Sequence, residues 1–273
     1  MYQNIFYQYN RRRIHIWDDK KGYSVHPFSQ YAYVKDTKGT YTSLYGDKVR
    51  KLPISRIGET DTAYESDVMP EIRFLVDNYT DSDEVSEGHK VMFFDIEVEV
   101  TQGFPDVNKA ENTITSIAFY DELTKQYYCY VLDKENKVNP NQFGETTVIK
   151  FTDERDLLTA FYQKYLEISP TIISGWNSDR FDIPYLYNRS LRLLGKETAN
   201  CLSPIGMVEY QKHKGTYKIA GVSSLDYLEL YKKLTFNERS SYRLDSVGED
   251  EVGINKVSYE GTLNELYDGD RNR

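Results

Sequence analysis

Lys90-Val91-Met92-Phe93-Phe94-Asp95-Ile96-Glu97-Val98-Glu99-Val100 is a run of strand-forming residues interrupted only by acids. Its near-continuous apolar character reads as a strand inside a sheet covered on both faces. Successive strand side chains point to opposite faces, so Asp95 and Glu97 share one. An apolar strand should not carry two neighbouring negative charges, because burying an uncompensated ion costs several kcal/mol. A divalent cation resolves the conflict. Mg²⁺ and Mn²⁺ take oxygen ligands, and two ions about 4 Å apart form a known arrangement for phosphodiester hydrolysis. Glu99 shares the face but lies about 13 Å from Asp95 at roughly 3.3 Å per residue. It reads as a solvated strand-end residue.

Around this strand the pattern is α/β. Thr113–Tyr120 and Gln126–Leu132 flank the turn Asp121–Lys125 and read as a hairpin. Thr147–Phe151 reads as a strand leading to a helix over 153–167, with Leu157, Leu158, Phe161, Tyr165 and Leu166 as its inward stripe. Thr171–Ser174 is a further strand, feeding a helix over 183–194 that Gly195 closes. A second hairpin is expected at Met207–Tyr210 and Tyr217–Ala220, and helices at 224–234 and 244–251. Before Lys90 the chain differs. Phe6-Tyr7, Ile14–Trp17, Tyr23–Val25 and Tyr31–Val34 are short β-rich stretches, followed by a helix from Pro70 to Asn78 with Ile72, Leu75 and Val76 on one face. The acidic, serine-containing stretch Asp81–Gly88 reads as the domain boundary, dividing a β-rich domain, 1–88, from an α/β domain, 89–273.

Asp182 stands at the start of the 183–194 helix, where it either caps the helix or supplies a third carboxylate. Its surroundings favour the second role. Asn177 is suited to hold a carboxylate or a substrate hydroxyl, and Trp176 and Phe181 to pack beneath such a site. The alternative for all three is ordinary loop and core packing.

Composition narrows the chemistry. With 39% hydrophobic and 28% charged residues in 273, the chain has globular rather than disordered character. Cys129 and Cys201 fit neither a disulfide framework nor a Cys-x-x-Cys zinc spacing, and the four histidines are scattered. No apolar run approaches the roughly 18 residues of a membrane span, and Met1–Asn10 lacks a signal-peptide core. A net charge of -9 disfavours nonspecific duplex binding, yet suits a site that grips phosphate through cations. The 25 tyrosines suit β-structure, or the stacking of bases.

Phe94-Asp95-Ile96-Glu97, followed by Gly175-Trp176-Asn177, Phe181-Asp182-Ile183-Pro184-Tyr185 and Tyr187-Asn188-Arg189, resembles the first and second exonuclease motifs of family B DNA polymerases, in particular those of T-even-type myophages, including cyanobacterial ones. The likeness extends through Leu225–Lys233 and Ser241–Asp245. It implies a ribonuclease H-like 3′–5′ proofreading domain, a mixed sheet flanked by helices, preceded by a smaller β-rich domain. It also implies that Asp95, Glu97 and Asp182 are catalytic metal ligands for Mg²⁺ or Mn²⁺. Phe104, in Gly103-Phe104-Pro105, matches an aromatic that stacks on an unpaired primer end, the alternative being turn packing. The 207–220 hairpin resembles one that holds separated strands, the alternative being a plain surface hairpin. The implied partners are a single-stranded DNA primer end, the remainder of the polymerase, and RNA through the N-terminal domain, acting in the cytoplasm of an infected bacterial host.

The family's third motif, Tyr-x₃-Asp, is absent. No tyrosine after Asp182 has aspartate four residues on, and His213 is followed five later by Lys218. The stretch from Tyr259 to Arg273 resembles the segment just ahead of that motif. The expected consequences are an incomplete two-metal site, weak hydrolysis by this chain alone and no nucleotide addition. The readings left open are a truncated chain, a subunit of a split polymerase, and a noncatalytic RNA-binding module. A metal nuclease using Asp226, Asp245 or Asp268 as another ligand is a further alternative.

Overall fold

The computed structural model describes residues 1–59, 61–100, 103–236, 238–254 and 265. Tyr259 and Asp268, with the stretch likened to the approach to the third motif, lie outside the described residues except for Glu265. The chain forms two compact units, Met1–Gly88 and His89–Arg273.

The first unit contains β1 (Tyr2–Gln8), β2 (Arg13–Asp18), β3 (Gly22–Pro27), β4 (Tyr31–Lys35), β5 (Tyr41–Thr42), β6 (Lys48–Pro53), β7 (Ala63–Tyr64) and helix α1 (Pro70–Tyr79). β1, β2 and β3 make one antiparallel sheet, and β5-β6-β4-β7 a second. Proline is tolerated in the first turn of α1, where its missing N–H has no partner to lose. Of the apolar face expected of this helix, Leu75 is half-buried against the core while Ile72 and Val76 are exposed, and Phe74 packs with Tyr7, Ile14 and Ile16. One aromatic ring fills the gap against the sheet with Leu75 beside it, and Ile72 and Val76 are left outside.

The second unit runs β8 (Val91–Val98), β9 (Ile114–Asp121), β10 (Gln126–Leu132), β11 (Thr146–Phe151), α2 (Glu154–Ile168), β12 (Ile172–Ser174), α3 (Asp182–Leu193), α4 (Lys196–Ala199), β13 (Val208–Gln211), β14 (Thr216–Ile219), β15 (Ser223–Ser224), α5 (Tyr227–Leu234) and α6 (Leu244–Val252). Its six-stranded sheet has the order β11-β10-β9-β8-β12-β15. β9 runs antiparallel to both β8 and β10, while β12 joins β8 and β15 in parallel, as does β11 with β10. A parallel pair needs a crossover, and α2 and α3 supply the apolar surface that covers the sheet. This is a ribonuclease H-like arrangement.

Asp153 caps α2 by accepting from Arg155 N–H at 2.7 Å. The buried face of α2 is centred on Phe161 and Tyr165 and includes Tyr162. At roughly 100° per residue, Leu166 falls on its flank and is exposed, against the expected stripe. The helix expected from 224 begins at Tyr227, because Ser223-Ser224 pair with β12. The 208–219 hairpin forms as expected. No helix among the described residues is long and apolar enough to cross a membrane.

Candidate active site

Along β8, Met92, Phe94, Ile96 and Val98 are buried in the core, while Asp95 is exposed and Glu97 half-buried on the opposite face. The period of two therefore places both carboxylates together. What completes the site is a strand that stops early. β12 pairs with β8 only as far as Phe93, opposite Ser174. The next residue is Gly175, where a Cβ would come within 2.6 Å of the Phe94 carbonyl oxygen. Only glycine lets the chain turn away so close to β8.

The turn that follows is fixed from two sides. Asn177 has φ near 63°, a left-handed conformation asparagine tolerates, and its carbonyl accepts from the N–H groups of Arg180 and Phe181, both at 3.1 Å. The buried Asp226 carboxylate accepts from Asn177 N–H (3.0 Å) and Asp179 N–H (3.1 Å) while capping α5 through Leu228 N–H. Asp226 is thus an anchor for the turn, and nothing marks it as a substitute metal ligand.

Asp182 emerges as the first residue of α3, whose cap position is Phe181. Its carboxylate reaches back to β8 and accepts from Ile96 N–H at 3.0 Å, between Asp95 and Glu97. The short β12 leaves that stretch of β8 without a strand partner on this side, and Asp182 takes the place of one. The side chain is 3% exposed. Burial, followed by the charge of Asp95 and with a smaller part from Glu97, pushes its pKa up to about 7 against the Ile96 hydrogen bond that lowers it. Asp179 is also raised, chiefly by burial, although the Ser224 hydroxyl donates to it.

On the other edge of β8 the ladder is irregular. Glu97 pairs with Ser116 but Val98 with Ile114, so Thr115 is an extra residue in β9. Its hydroxyl donates to the Glu97 carbonyl at 3.1 Å. Bulges of this kind re-aim neighbouring side chains, and this one falls at Glu97.

Beyond β8, the segment 103–113 contains neither helix nor strand, so its carbonyls need other donors. One face of α3 supplies them. Tyr185 OH donates to Asn112 O (2.8 Å), Asn188 Nδ2 to Val107 O (2.8 Å), and Arg189 Nη1 to Ala110 O and Glu111 O (3.1 and 2.7 Å). Arg189 Nε also pairs with Glu154 Oε1 at 2.8 Å. The loop so held presents Phe104, 82% exposed, with its ring centroid 5.2 Å from Phe181. Glu97, Phe104, Pro105 and Phe181 help line an open pocket of about 360 Å³ beside the carboxylates.

Sequence reasoning thus places Asp95, Glu97, Asp182, Phe104 and Phe181 in one region. Trp176 lies elsewhere: its ring packs on Tyr227 and Tyr231 of α5, and its Nε1 donates to Tyr242 O. The Arg189–Glu154 pair and the Thr115 bulge were not foreseen, since neither has a local sequence signature. Among the described residues, no group of three or more His, Cys, Asp or Glu side chains converges closely enough to hold a metal. The donor chemistry, three carboxylates with hard oxygens and an excess of negative charge, suits a cation.

The model of the family B DNA polymerase exonuclease domain matches residues 61–247. The chain belongs to the family B DNA polymerases. The DNA-directed DNA polymerase of Enterobacteria phage T4 is 31% identical over 230 residues, and that of Escherichia phage RB69 is 29% identical over 232. Each alignment covers 74% of this chain and 26% of the relative, so the chain spans about a quarter of the length of these family B polymerases. The DNA polymerase catalytic subunit of Equine herpesvirus 1 is 29% identical over 259 residues, covering 84% of this chain and 20% of the relative.

Proposed function

We propose that the second unit is the proofreading 3′–5′ exonuclease portion of a phage replicative DNA polymerase, removing the terminal nucleotide of a single-stranded primer end. The observation that carries the reading is the placement of Asp182. A buried carboxylate is fastened to the backbone between two others, at a cost in charge that a divalent cation relieves.

In this reading Asp95, Glu97 and Asp182 hold Mg²⁺ or Mn²⁺, which when bound lowers the pKa of the attacking water and stabilises the leaving oxygen. Phe104, backed by Phe181, provides an exposed face on which the terminal base stacks. A paired base has to leave its helix to reach that face, which selects frayed ends. Asn177, on the turn between the carboxylates and α5, is proposed to contact the substrate or a carboxylate.

The test is Mn²⁺-dependent shortening of a 5′-labelled single-stranded oligonucleotide, with Asp95→Ala as control. With three carboxylates assigned, slow loss of 3′ nucleotides is expected, abolished by chelation and by Asp95→Ala. Degradation indifferent to Asp95 would overturn the assignment. The further partner proposed is the remainder of the polymerase, in the same chain or as a separate subunit. The proposed place of action is the cytoplasm of an infected bacterial host.

A second reading concerns the first unit and RNA. Arg11, Arg12 and Arg13 are exposed beside Tyr9, and a pocket of about 550 Å³ is lined by Tyr33, Tyr41, Tyr45, Tyr64 and Arg73. Cations with aromatic faces suit single-stranded nucleic acid. Replacing the three arginines by glutamine should reduce the log–log salt slope of RNA binding by about 2. An unchanged slope would remove them from any RNA contact.

A further inference from the structure

The loop that presents Phe104 and the 208–219 hairpin are joined through one side-chain amide. Tyr217, on β14, donates its hydroxyl to Asn188 Oδ1 at 2.8 Å. The Nδ2 of the same Asn188 donates to Val107 O, also at 2.8 Å, three residues after Phe104. A carboxamide has one accepting and one donating end, so Asn188 matches a hydroxyl on one side and a carbonyl on the other. Neither aspartate nor leucine can replace both contacts. The Tyr217 ring is held in turn between Tyr187 and Tyr210, with centroids 4.7 and 5.1 Å away. The hairpin end of the link is therefore itself packed rather than free to swing.

The rest of the loop is held differently. Asn112, Glu111 and Ala110 are fastened to Tyr185 and Arg189, and Arg189 is braced on Glu154 of α2. Those contacts join loop to core. The Asn188 contact joins loop to hairpin, at the end of the loop nearer Phe104.

We infer that Asn188 is a positioning residue that couples the hairpin to the Phe104 loop, so that a shift of the hairpin changes how firmly the aromatic platform is presented. The effect on substrate rests on the stacking role proposed for Phe104; the coupling itself does not. A strand engaged by the hairpin would thereby be felt at the base-stacking surface without any contact between them.

Two measurements on the full chain separate these layers. The first is hydrogen exchange without ligand, comparing wild type with Tyr217→Phe and Asn188→Asp. The amides of Asn108, Lys109 and Ala110, which are bonded to Asp106, report opening of the loop. Loss of one hydrogen bond should speed their exchange about fivefold in both variants, with α2 and β9 unchanged. Faster exchange confined to the hairpin in Tyr217→Phe, or spread over the whole unit, would overturn the inference.

The second is quenching of an oligonucleotide carrying a 3′-terminal 2-aminopurine, with Ca²⁺ present to prevent hydrolysis. Phe104→Ala should weaken binding about tenfold or more, and Tyr217→Phe about threefold at most, within the worth of one hydrogen bond. The double variant should bind no worse than Phe104→Ala alone. Additive losses would overturn the transmission from hairpin to platform. An unaltered Phe104→Ala with the exchange result intact would sink the stacking role and leave the coupling standing.

Discussion

Asp182→Asn should make the metal-free protein more stable, and more so as pH rises. In the folded chain the Asp182 pKa is about 7 against an ordinary 3.8. Between these values the folded state binds more protons than the unfolded state, so stability falls as pH rises through the window. Below about pH 4 both states are protonated and the penalty vanishes; above about pH 7 it is complete. At 1.36 kcal/mol per unit, a gap of about three units amounts to roughly 4 kcal/mol. Asparagine keeps an oxygen to accept from Ile96 N–H and cannot ionise. Urea unfolding in chelator from about pH 3.5 to 8.5 should show the variant gaining up to roughly 4 kcal/mol over wild type at the alkaline end, with little difference at the acid end. Asp179, also raised, contributes the same slope to both proteins and drops out of the comparison. Adding Mn²⁺ should stabilise the wild type and leave the variant unmoved. A stability difference that does not vary with pH would refute the argument, since it would mean that the carboxylate carries no strain of charge.

Gly175→Ala drives a Cβ to 2.6 Å from the Phe94 carbonyl, so unfolding should become easier by about 1–3 kcal/mol; an unchanged midpoint would show that the turn can give way. Arg189→Ala leaves the half-buried Glu154 with only the Ile114 N–H to hold its charge and should cost about 3 kcal/mol by chemical denaturation. Phe104→Ala removes an exposed ring and should leave thermal stability within about 0.5 kcal/mol of wild type, so any loss of oligonucleotide binding would be read free of unfolding.

Asp95 and Glu97 were legible because a period of two needs only local sequence, and the hairpins and central strands because their apolar runs are bounded by turns. The partnership of Asp182 with Ile96 was not, because it depends on where β12 stops pairing, which no spacing records. An aspartate at the start of a helix reads as a cap, yet here the cap position belongs to Phe181 and the carboxylate faces the sheet. Ile72, Val76 and Leu166 show the limit of periodicity: it names a stripe, while neighbouring elements choose which side of it is covered. β5 and β7, two residues each, are too short to carry any pattern, and Trp176 found its partners in a helix fifty residues on.

The three-residue length of β12 also offers a control that leaves every acidic side chain in place. If residues 175–176 were recast to continue the ladder, Ile96 would acquire a main-chain neighbour and Asp182 would be evicted from its seat. The protein would keep its sheet, its helices and all three carboxylates, yet Asp182 would no longer be fastened to β8 between Asp95 and Glu97. Inactivation by backbone pairing would then distinguish what the acids do as chemistry from what they do as part of the scaffold, a separation that alanine replacement of an acid does not make.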